Sequence, residues 1–209
     1  MRLLLIRHAE SVGNRELRLQ GQAEFPLTER GRRQAEELAA SMAERQVIAV
    51  YSSPIRRALD TAEAIASPLG LTVDVQAALQ EYDFGKLSGL TWPEINEKRP
   101  HLIEQLLSDS ADYPDYPGEE GREPFRQRVC EALWAISERH TEKESVAVVT
   151  HGGPIGVFLL EVLQRGYHRP TPFTLDNASV TMVEIAELQP VQPRAVVVGL
   201  NDTCHLATV

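Results

Sequence analysis

Short apolar runs alternate with segments of helical periodicity along most of this chain, and this alternation restricts the possible folds more than any other feature. The runs occupy residues 2–7, 47–51, 73–75, 146–150, 180–185 and 195–200, and each is short enough for one buried strand. Helical spacing separates several of them, as at Ala58, Ala62 and Ile65. Strands that alternate with helices are typical of a parallel sheet covered on both sides. The sequence therefore predicts an α/β fold, a three-layer sandwich with a mostly parallel central sheet and helices on both faces.

The chain has 209 residues, which fits one domain at roughly 150 residues per domain. Residues 82–122 interrupt the regular alternation. They contain helical patterns at 93–98 and 102–107 and an acidic, proline-broken loop at 109–121. We therefore expect a single domain over residues 1–209, with an insertion at about 82–122.

The charge balance restricts the partners. There are 21 Lys and Arg residues against 30 Asp and Glu residues, a formal net charge of -9, which disfavours nucleic acid and anionic membranes as partners. The apolar run at residues 3–6 ends at Arg7, too early for a signal peptide or a membrane helix. We expect a cytoplasmic protein, and the sequence leaves open whether it forms a homo-oligomer. Cys130 and Cys204 lack metal-site spacing, so both are expected to be buried, inert thiols.

Reactive or anion-binding side chains directly follow three of the predicted strands, at residues 7–11, 52–57 and 150–154. Each segment alone also fits a structural role, such as a strand-end histidine bonded to backbone or arginines on a solvated helix face. The carboxyl ends of parallel strands share one edge of a sheet, so the three segments should bring two histidines and at least two arginines to one rim. Beside helix N-termini, this combination is typical of a phosphoryl-binding site.

These segments belong to an ordered set of motifs that extends over nearly the whole chain. The set comprises LIRHAES at 5–11, Asn14, Gly21, PLT at 26–28, Gly31, Gln34-Ala35, SSPIRRALDTA at 52–62, EYDFG at 81–85, Arg128-Val129, VTHGG at 149–153, NAS at 177–179 and Asn201, His205 and Leu206. The chain resembles the histidine phosphatase superfamily in its phosphoglycerate mutase-like branch. Ala9 departs from the glycine that is usual in the family's Arg-His-Gly triplet, a small change if the backbone there needs no positive φ.

The resemblance implies a role for each matching residue. His8 matches the nucleophile, which attacks phosphorus in line and carries the group as phosphohistidine, so that one difficult displacement becomes two easier steps. Arg7 and Arg56 match the phosphate clamps, and Arg57 is expected at the surface. His151 matches the second histidine of the family, which contacts a phosphoryl oxygen.

Further matches are expected to surround the substrate. The N–H group of Gly152 is available to the same anion as His151, and Asn14 matches a phosphate-contacting position. Gln20 and Gly21 lie where relatives approach the substrate. His205 is expected to make a structural contact.

The resemblance assigns the general acid and base to Glu81, with Glu10 and Asp83 as competing carboxylates. One carboxyl group suffices, because it can protonate the leaving oxygen and later take a proton from water. The free nitrogen of His8 must be unprotonated, so its other ring nitrogen should donate to an acceptor, which the sequence does not identify.

The resemblance therefore implies a phosphomonoester hydrolase for small phosphorylated metabolites, without cofactor or metal, because arginines supply the charge. Two alternatives remain open. One is a cofactor-dependent phosphoglycerate mutase, although those relatives have a longer insertion and a longer C-terminal tail. The other is a non-catalytic phospho-ligand binding module on the same fold.

Overall fold

The computed structural model describes residues 1–100, 102, 118–165, 172–186 and 195–207. Its strands are β1 (Arg2–Arg7), β2 (Arg18–Leu19), β3 (Val47–Ser52), β4 (Val73–Val75), β5 (Leu90–Thr91), β6 (Ser145–Thr150), β7 (Val180–Ile185) and β8 (Ala195–Asp202). Its α-helices are α1 (Val12–Arg15), α2 (Glu29–Glu44), α3 (Arg56–Leu69), α4 (Trp92–Lys98), α5 (Arg122–Ser137) and α6 (Gly152–Val162). Short 3-10 turns cover Ala77–Leu79, Gly85–Leu87 and Cys204–Leu206.

A six-stranded sheet in the order β4-β3-β6-β1-β7-β8 forms the centre of the molecule. The pairs β4-β3, β3-β6 and β6-β1 are parallel, whereas β7 runs antiparallel to both β1 and β8. The carboxyl ends of β3, β6 and β1 therefore lie side by side, and the three segments with reactive side chains begin there.

The alternating side chains of β1 enter two different cores. Leu3 and Leu5 belong to the core that includes Phe125 of α5 and Phe158 of α6. Leu4 and Ile6 belong to the opposite core, which is built with residues of α2 and α3. Helices cover both faces of the sheet, so the predicted α/β sandwich is confirmed.

The helix α2 shows how local sequence sets these elements. Thr28 caps it, because its Oγ1 accepts a hydrogen bond from the Gly31 N–H at 2.9 Å. Its buried face includes Gln34, Leu38 and Met42, which recur every four residues and point towards the sheet.

Part of the predicted insertion lies against the loop that follows β1. The strands β2 and β5 pair as a small antiparallel sheet, and α4 begins directly after β5. The helical pattern at 93–98 thus corresponds to α4, whereas residues 101 and 103–117 lie outside the described residues, with most of the predicted acidic loop. Cys130 is buried as expected, but the expectation for Cys204 is wrong, because it is exposed. Within the described ranges, no helix has the length and apolar character of a membrane span.

Candidate active site

A cleft of about 190 Å³ opens at the carboxyl ends of β1, β3 and β6. Its lining includes the predicted site residues Arg7, His8, Asn14, Gln20, Gly21, Glu81 and Gly152, together with Arg18, Leu19, Arg57, Phe84 and Trp92. The rings of His8 and His151 meet edge to face at the inner end, with their centroids 5.2 Å apart. The topology therefore brings the three predicted segments together.

His8 is 3% exposed and its ring is held in one orientation. Its Nδ1 lies 2.8 Å from the carbonyl oxygen of Ala9. A carbonyl oxygen only accepts hydrogen bonds, so Nδ1 carries the proton and Nε2 carries the lone pair. Burial, followed by the charges of Arg57 and Arg7, holds the pKa of His8 well below 6.5. The imidazole is therefore neutral at pH 7, as a nucleophile requires.

Arg57, and not Arg56, is the arginine of α3 that lies at the site. Arg57 is 1% exposed, so the expectation of a surface position is wrong. Its Nε donates to Nε2 of His8 over 3.1 Å, and its two terminal nitrogens donate to the carbonyl oxygens of Gly21 and Ala23. Burial lowers the pKa of Arg57 to about 10, which leaves the guanidinium charged at pH 7.

The predicted clamp Arg56 lies on the outside of the same helix. Its side chain is 69% exposed, and its Nε is 3.4 Å from a carboxylate oxygen of Asp60, one turn further along. Neighbouring helical residues point about 100° apart, so only one of the two arginines can face the sheet. The buried face of α3 contains Arg57, Thr61 and Ala62 and leaves Arg56 on the polar side. The helical spacing of Ala58, Ala62 and Ile65 is the sequence signal that could have indicated this.

Arg7 lies at the end of β1 with one nitrogen free for a ligand. One terminal nitrogen donates to the carbonyl oxygen of Leu175. Its Nε is buried and has no hydrogen-bond partner among the described residues. Burial lowers the pKa of Arg7, which the charges of Glu81 and Asp176 partly oppose. An unsatisfied buried donor costs about 1–3 kcal/mol, so an anion that accepts from this nitrogen would be stabilised.

His151 also has a ring nitrogen without a hydrogen-bond partner among the described residues. Its Nε2 lies 2.9 Å from Oγ of Ser53, a buried residue to which the sequence assigned no role of its own. Its Nδ1 is buried without a hydrogen-bond partner in the described part of the chain. Burial holds the pKa of His151 well below 6.5, and among the neighbouring charges Arg57 contributes most.

Asn14 presents its amide nitrogen to the cleft because its oxygen is already used. Oδ1 accepts from the N–H of Ser11 at 3.1 Å and from Nδ2 of Asn177 at 3.2 Å. The same Asn177 nitrogen donates to the carbonyl oxygen of His8 at 3.0 Å. The amide of Asn177 therefore ties the backbone of the predicted nucleophile to the predicted phosphate contact.

Gln20 and Gly21 form the neighbouring wall of the cleft. Oε1 of Gln20 accepts from the hydroxyl of Ser11 at 2.7 Å. Gly21 has φ 51°, and a Cβ atom there would lie 2.5 Å from Oγ of Ser88, so the close approach of the two loops requires glycine. Ala9 has no positive φ, so its departure from the family's glycine introduces no strain of that kind.

Glu81 lies on the opposite side, and two backbone groups orient its carboxylate. Oε1 accepts from the N–H of Tyr82 at 2.8 Å, and Oε2 accepts from the N–H of Gly153 at 3.1 Å. A Cβ atom on Gly153 would lie 2.0 Å from Oε1, so the helix α6 can approach this carboxylate only with glycine there. A Cβ atom on Gly152 would lie 3.9 Å from Nε of Arg7, which places the start of α6 beside that side chain.

The competing carboxylates have other partners. Glu10 accepts from the hydroxyl of Thr28 at 2.6 Å and pairs with Arg30, outside the cleft. Asp83 accepts from the N–H of Gly85 at 2.8 Å. His205 lies 3.0 Å from the carbonyl oxygen of Ala178, a contact of the structural kind expected for it.

The chain matches the family model described as the histidine phosphatase superfamily (branch 1) over residues 3–197. The chain belongs to this family. The metal-independent phosphoserine phosphatase of Arabidopsis thaliana is 33% identical over 99% of this chain and 84% of its own length. Phosphoserine phosphatase 1 of Hydrogenobacter thermophilus is 32% identical over 99% of this chain and 94% of its own length.

The solved structures show the same fold. YhfR of Bacillus stearothermophilus superposes with a TM-score of 0.88 at 29% identity and covers 98% of both chains. A phosphoserine phosphatase of Entamoeba histolytica, solved with phosphoserine, superposes with a TM-score of 0.80 at 27% identity over 98% of both chains. The predicted family is confirmed, and so is the prediction of a histidine phosphatase that hydrolyses small phosphorylated metabolites.

Proposed function

We propose that the chain hydrolyses small phosphate monoesters through a phosphohistidine formed on Nε2 of His8. The observation that carries this proposal is the state of that nitrogen: the Ala9 carbonyl fixes the tautomer, so Nε2 has a lone pair, which accepts from Nε of Arg57 and becomes available when that donor turns to a phosphoryl oxygen. The guanidiniums of the partly buried Arg7 and the buried Arg57 lie beside it, where a transferring phosphoryl group develops negative charge.

In the first step, Nε2 of His8 forms a bond to phosphorus while the bond from phosphorus to the ester oxygen breaks. Glu81 gives its proton to that oxygen, and the alcohol leaves. In the second step, water attacks phosphorus and gives a proton to the Glu81 carboxylate. The nitrogen–phosphorus bond breaks, and inorganic phosphate is released with His8 restored.

Three free nitrogens are suited to hold the phosphoryl oxygens during both steps. Nε of Arg7 and Nδ1 of His151 are buried without partners among the described residues, and the amide oxygen of Asn14 is turned away so that Nδ2 remains. Arg57 completes the set when its Nε exchanges the imidazole for a phosphoryl oxygen. Donors fixed in advance in a site of low polarity stabilise developing charge strongly.

The substrate is a small ester, and we propose phosphoserine as the first compound to test. A cleft of about 190 Å³ is smaller than the ~300–1,000 Å³ of pockets for drug-sized ligands. Its lining also includes the apolar side chains of Leu19, Phe84 and Trp92, which suit a short carbon skeleton. Two relatives that align with 99% of this chain are named phosphoserine phosphatases.

The decisive experiment mixes the enzyme with phosphorus-labelled phosphoserine and quenches it within milliseconds under denaturing conditions. We expect one acid-labile, base-stable phosphoryl group per chain, which His8→Ala abolishes. Label that persists in this variant, or an adduct on Ser or Asp, would contradict the nucleophile.

A parallel incubation with 3-phosphoglycerate separates the alternatives for the discharge step. A hydrolase releases inorganic phosphate and glycerate, whereas conversion to 2-phosphoglycerate with almost no phosphate release would identify a mutase. Binding of either ester without turnover would identify a binding module.

A further inference from the structure

Arg128 lies on α5, outside the lining of the active-site cleft. Its guanidinium donates hydrogen bonds to the backbone of the segment that carries Glu81. Nη1 donates to the carbonyl oxygens of Ala78 and Gln80 at 2.7 Å and 2.9 Å. Nη2 donates to the carbonyl oxygen of Glu81 itself at 3.1 Å. A single side chain thus satisfies three carbonyl groups that converge on one point.

A carboxylate and an aromatic ring hold the guanidinium in that position. Nε and Nη2 of Arg128 both donate to the carboxylate of Glu120, and the distance from Nη2 is 2.8 Å. The ring centroid of Phe125, one turn earlier on α5, lies 5.0 Å from the guanidinium carbon. The planar guanidinium makes two-pronged contacts in a rigid geometry, and a lysine cannot reproduce them.

Glu120 connects Arg128 to the backbone that follows Glu81. Its N–H donates to the carbonyl oxygen of Asp83 at 3.1 Å, and its carboxylate accepts from the N–H of Asp83 at 3.3 Å. The backbone on the N-terminal side of Glu81 therefore bonds to Arg128, and the backbone on its C-terminal side bonds to Glu120. The segment from Gln80 to Asp83 has no helix or strand of its own, so tertiary contacts determine where it lies. Besides Arg128 and Glu120, these are the amide of Gln22, which donates to the Glu81 carbonyl oxygen at 3.2 Å, and the buried side chain of Tyr82.

We propose that Arg128 is a positioning residue that sets the distance between the Glu81 carboxyl group and the leaving oxygen of the ester. The proposal rests on the acid role of Glu81 under the proposed function. The carboxylate reaches the cleft from a backbone that only tertiary contacts fix, and a displacement of about 1 Å can cost ~10² in rate. Loss of the guanidinium leaves the three carbonyl groups without their shared donor, and the segment relaxes away from Gly153.

The test compares the dependence of kcat on the leaving group in the wild type, Arg128→Lys and Glu120→Gln. An alkyl ester such as phosphoserine needs a proton on its leaving oxygen, whereas p-nitrophenyl phosphate needs little help. We expect Arg128→Lys to lower kcat for phosphoserine about 10- to 100-fold and for the aryl ester by less than about 3-fold. Glu120→Gln, which weakens the support without removing the guanidinium, should shift the ratio in the same direction.

Arg126→Lys is the matched control, because Arg126 lies on the same helix and pairs with Glu123 and Glu161 at the surface. It should leave both rates unchanged. Equal losses for the two esters in Arg128→Lys would indicate a merely structural residue and would overturn the proposal, as would unchanged rates. A double variant with Glu81→Gln should show no further change in the ester ratio.

Glu81→Gln alone separates failure of this inference from failure of the proposed function. If Glu81→Gln slows the alkyl ester selectively and Arg128→Lys does not, only the positioning role is wrong. If Glu81→Gln slows both esters equally, the acid assignment under the proposed function is wrong and the positioning role falls with it.

Discussion

Arg57 donates a hydrogen bond from its Nε to Nε2 of His8 over 3.1 Å, so a buried cation lies against the atom that we expect to attack phosphorus. A guanidinium has no acceptor, and the contact therefore needs a lone pair on Nε2. The same cation contributes to the low pKa of His8, because a second positive charge beside it is unfavourable. Together with burial, this contact keeps the imidazole neutral and places a guanidinium beside the atom that we expect to attack.

Substitution of the two neighbouring arginines of α3 tests this assignment directly. We expect Arg57→Ala to lower kcat/KM on the order of 10²–10³, as loss of a prearranged donor to developing charge does. Arg57→Lys should also lower it substantially, because the two-pronged geometry is lost although the charge remains. Arg56→Ala, the matched control, removes only an exposed ion pair and should stay within about 2-fold of the wild type. The reverse order of effects would restore Arg56 as the clamp.

The difference between Arg56 and Arg57 shows what the sequence can predict. Continuous apolar runs predict the strands and apolar residues at every third or fourth position predict the helices, because burial of these side chains dominates folding. The same periodicity places Arg57 on the buried face of α3. The family motif contains both arginines, so residue type alone does not distinguish the exposed Arg56 from the buried Arg57.

Other features of the site depend on contacts that no motif contains. The acceptor that fixes the tautomer of His8 is the carbonyl oxygen of Ala9, and every residue has such an oxygen. Glu81 sits on a segment without regular structure that is held by Arg128 of α5 and the N–H of Gly153 of α6. These partners are 47 and 72 residues away from Glu81 in sequence, so local patterns do not specify them.

Gly153→Ala should displace the Glu81 carboxylate, because the added Cβ would lie 2.0 Å from Oε1. We expect a loss of about 10² to 10⁴ in kcat for phosphoserine and a much smaller loss for p-nitrophenyl phosphate, measured as released phosphate. Gly70→Ala is the control: Gly70 ends α3 with φ 65°, and a Cβ there would meet no atom within 4 Å. It should lower the thermal unfolding temperature but not the ratio of the two rates. An unchanged ratio in Gly153→Ala would argue against the acid role of Glu81.

Chelation should leave the activity of the enzyme unchanged. The positive charge beside the nucleophile comes from Arg7 and Arg57, and such guanidiniums can neutralise the equatorial oxygens of a transferring phosphoryl group. The check is hydrolysis of phosphoserine before and after prolonged dialysis against a strong chelator, with Arg57→Lys in parallel. Activity that disappears on dialysis and returns with a divalent ion would contradict the proposed chemistry.

Acid should destabilise the folded chain because His8 and His151 are buried in the neutral form. The pKa of each imidazole is held well below 6.5, mainly by burial, whereas the unfolded chain protonates its histidines near pH 6.5. Below that pH the unfolded state binds more protons than the folded state, so the free energy of unfolding decreases as the pH falls from about 6.5 towards the folded pKa values. We expect this decrease in urea unfolding curves of the wild type between about pH 7 and pH 5.

His8→Asn removes one of the two groups and should make the dependence on pH shallower, whatever the change in stability at pH 7. The comparison is the slope of unfolding free energy against pH, since that slope counts the protons taken up on unfolding. Asn cannot titrate, so a slope identical to that of the wild type would mean that His8 binds as many protons in the folded as in the unfolded chain. The pKa of His8 would then not be lowered in the folded chain, which would contradict the buried, neutral imidazole that accepts from Arg57.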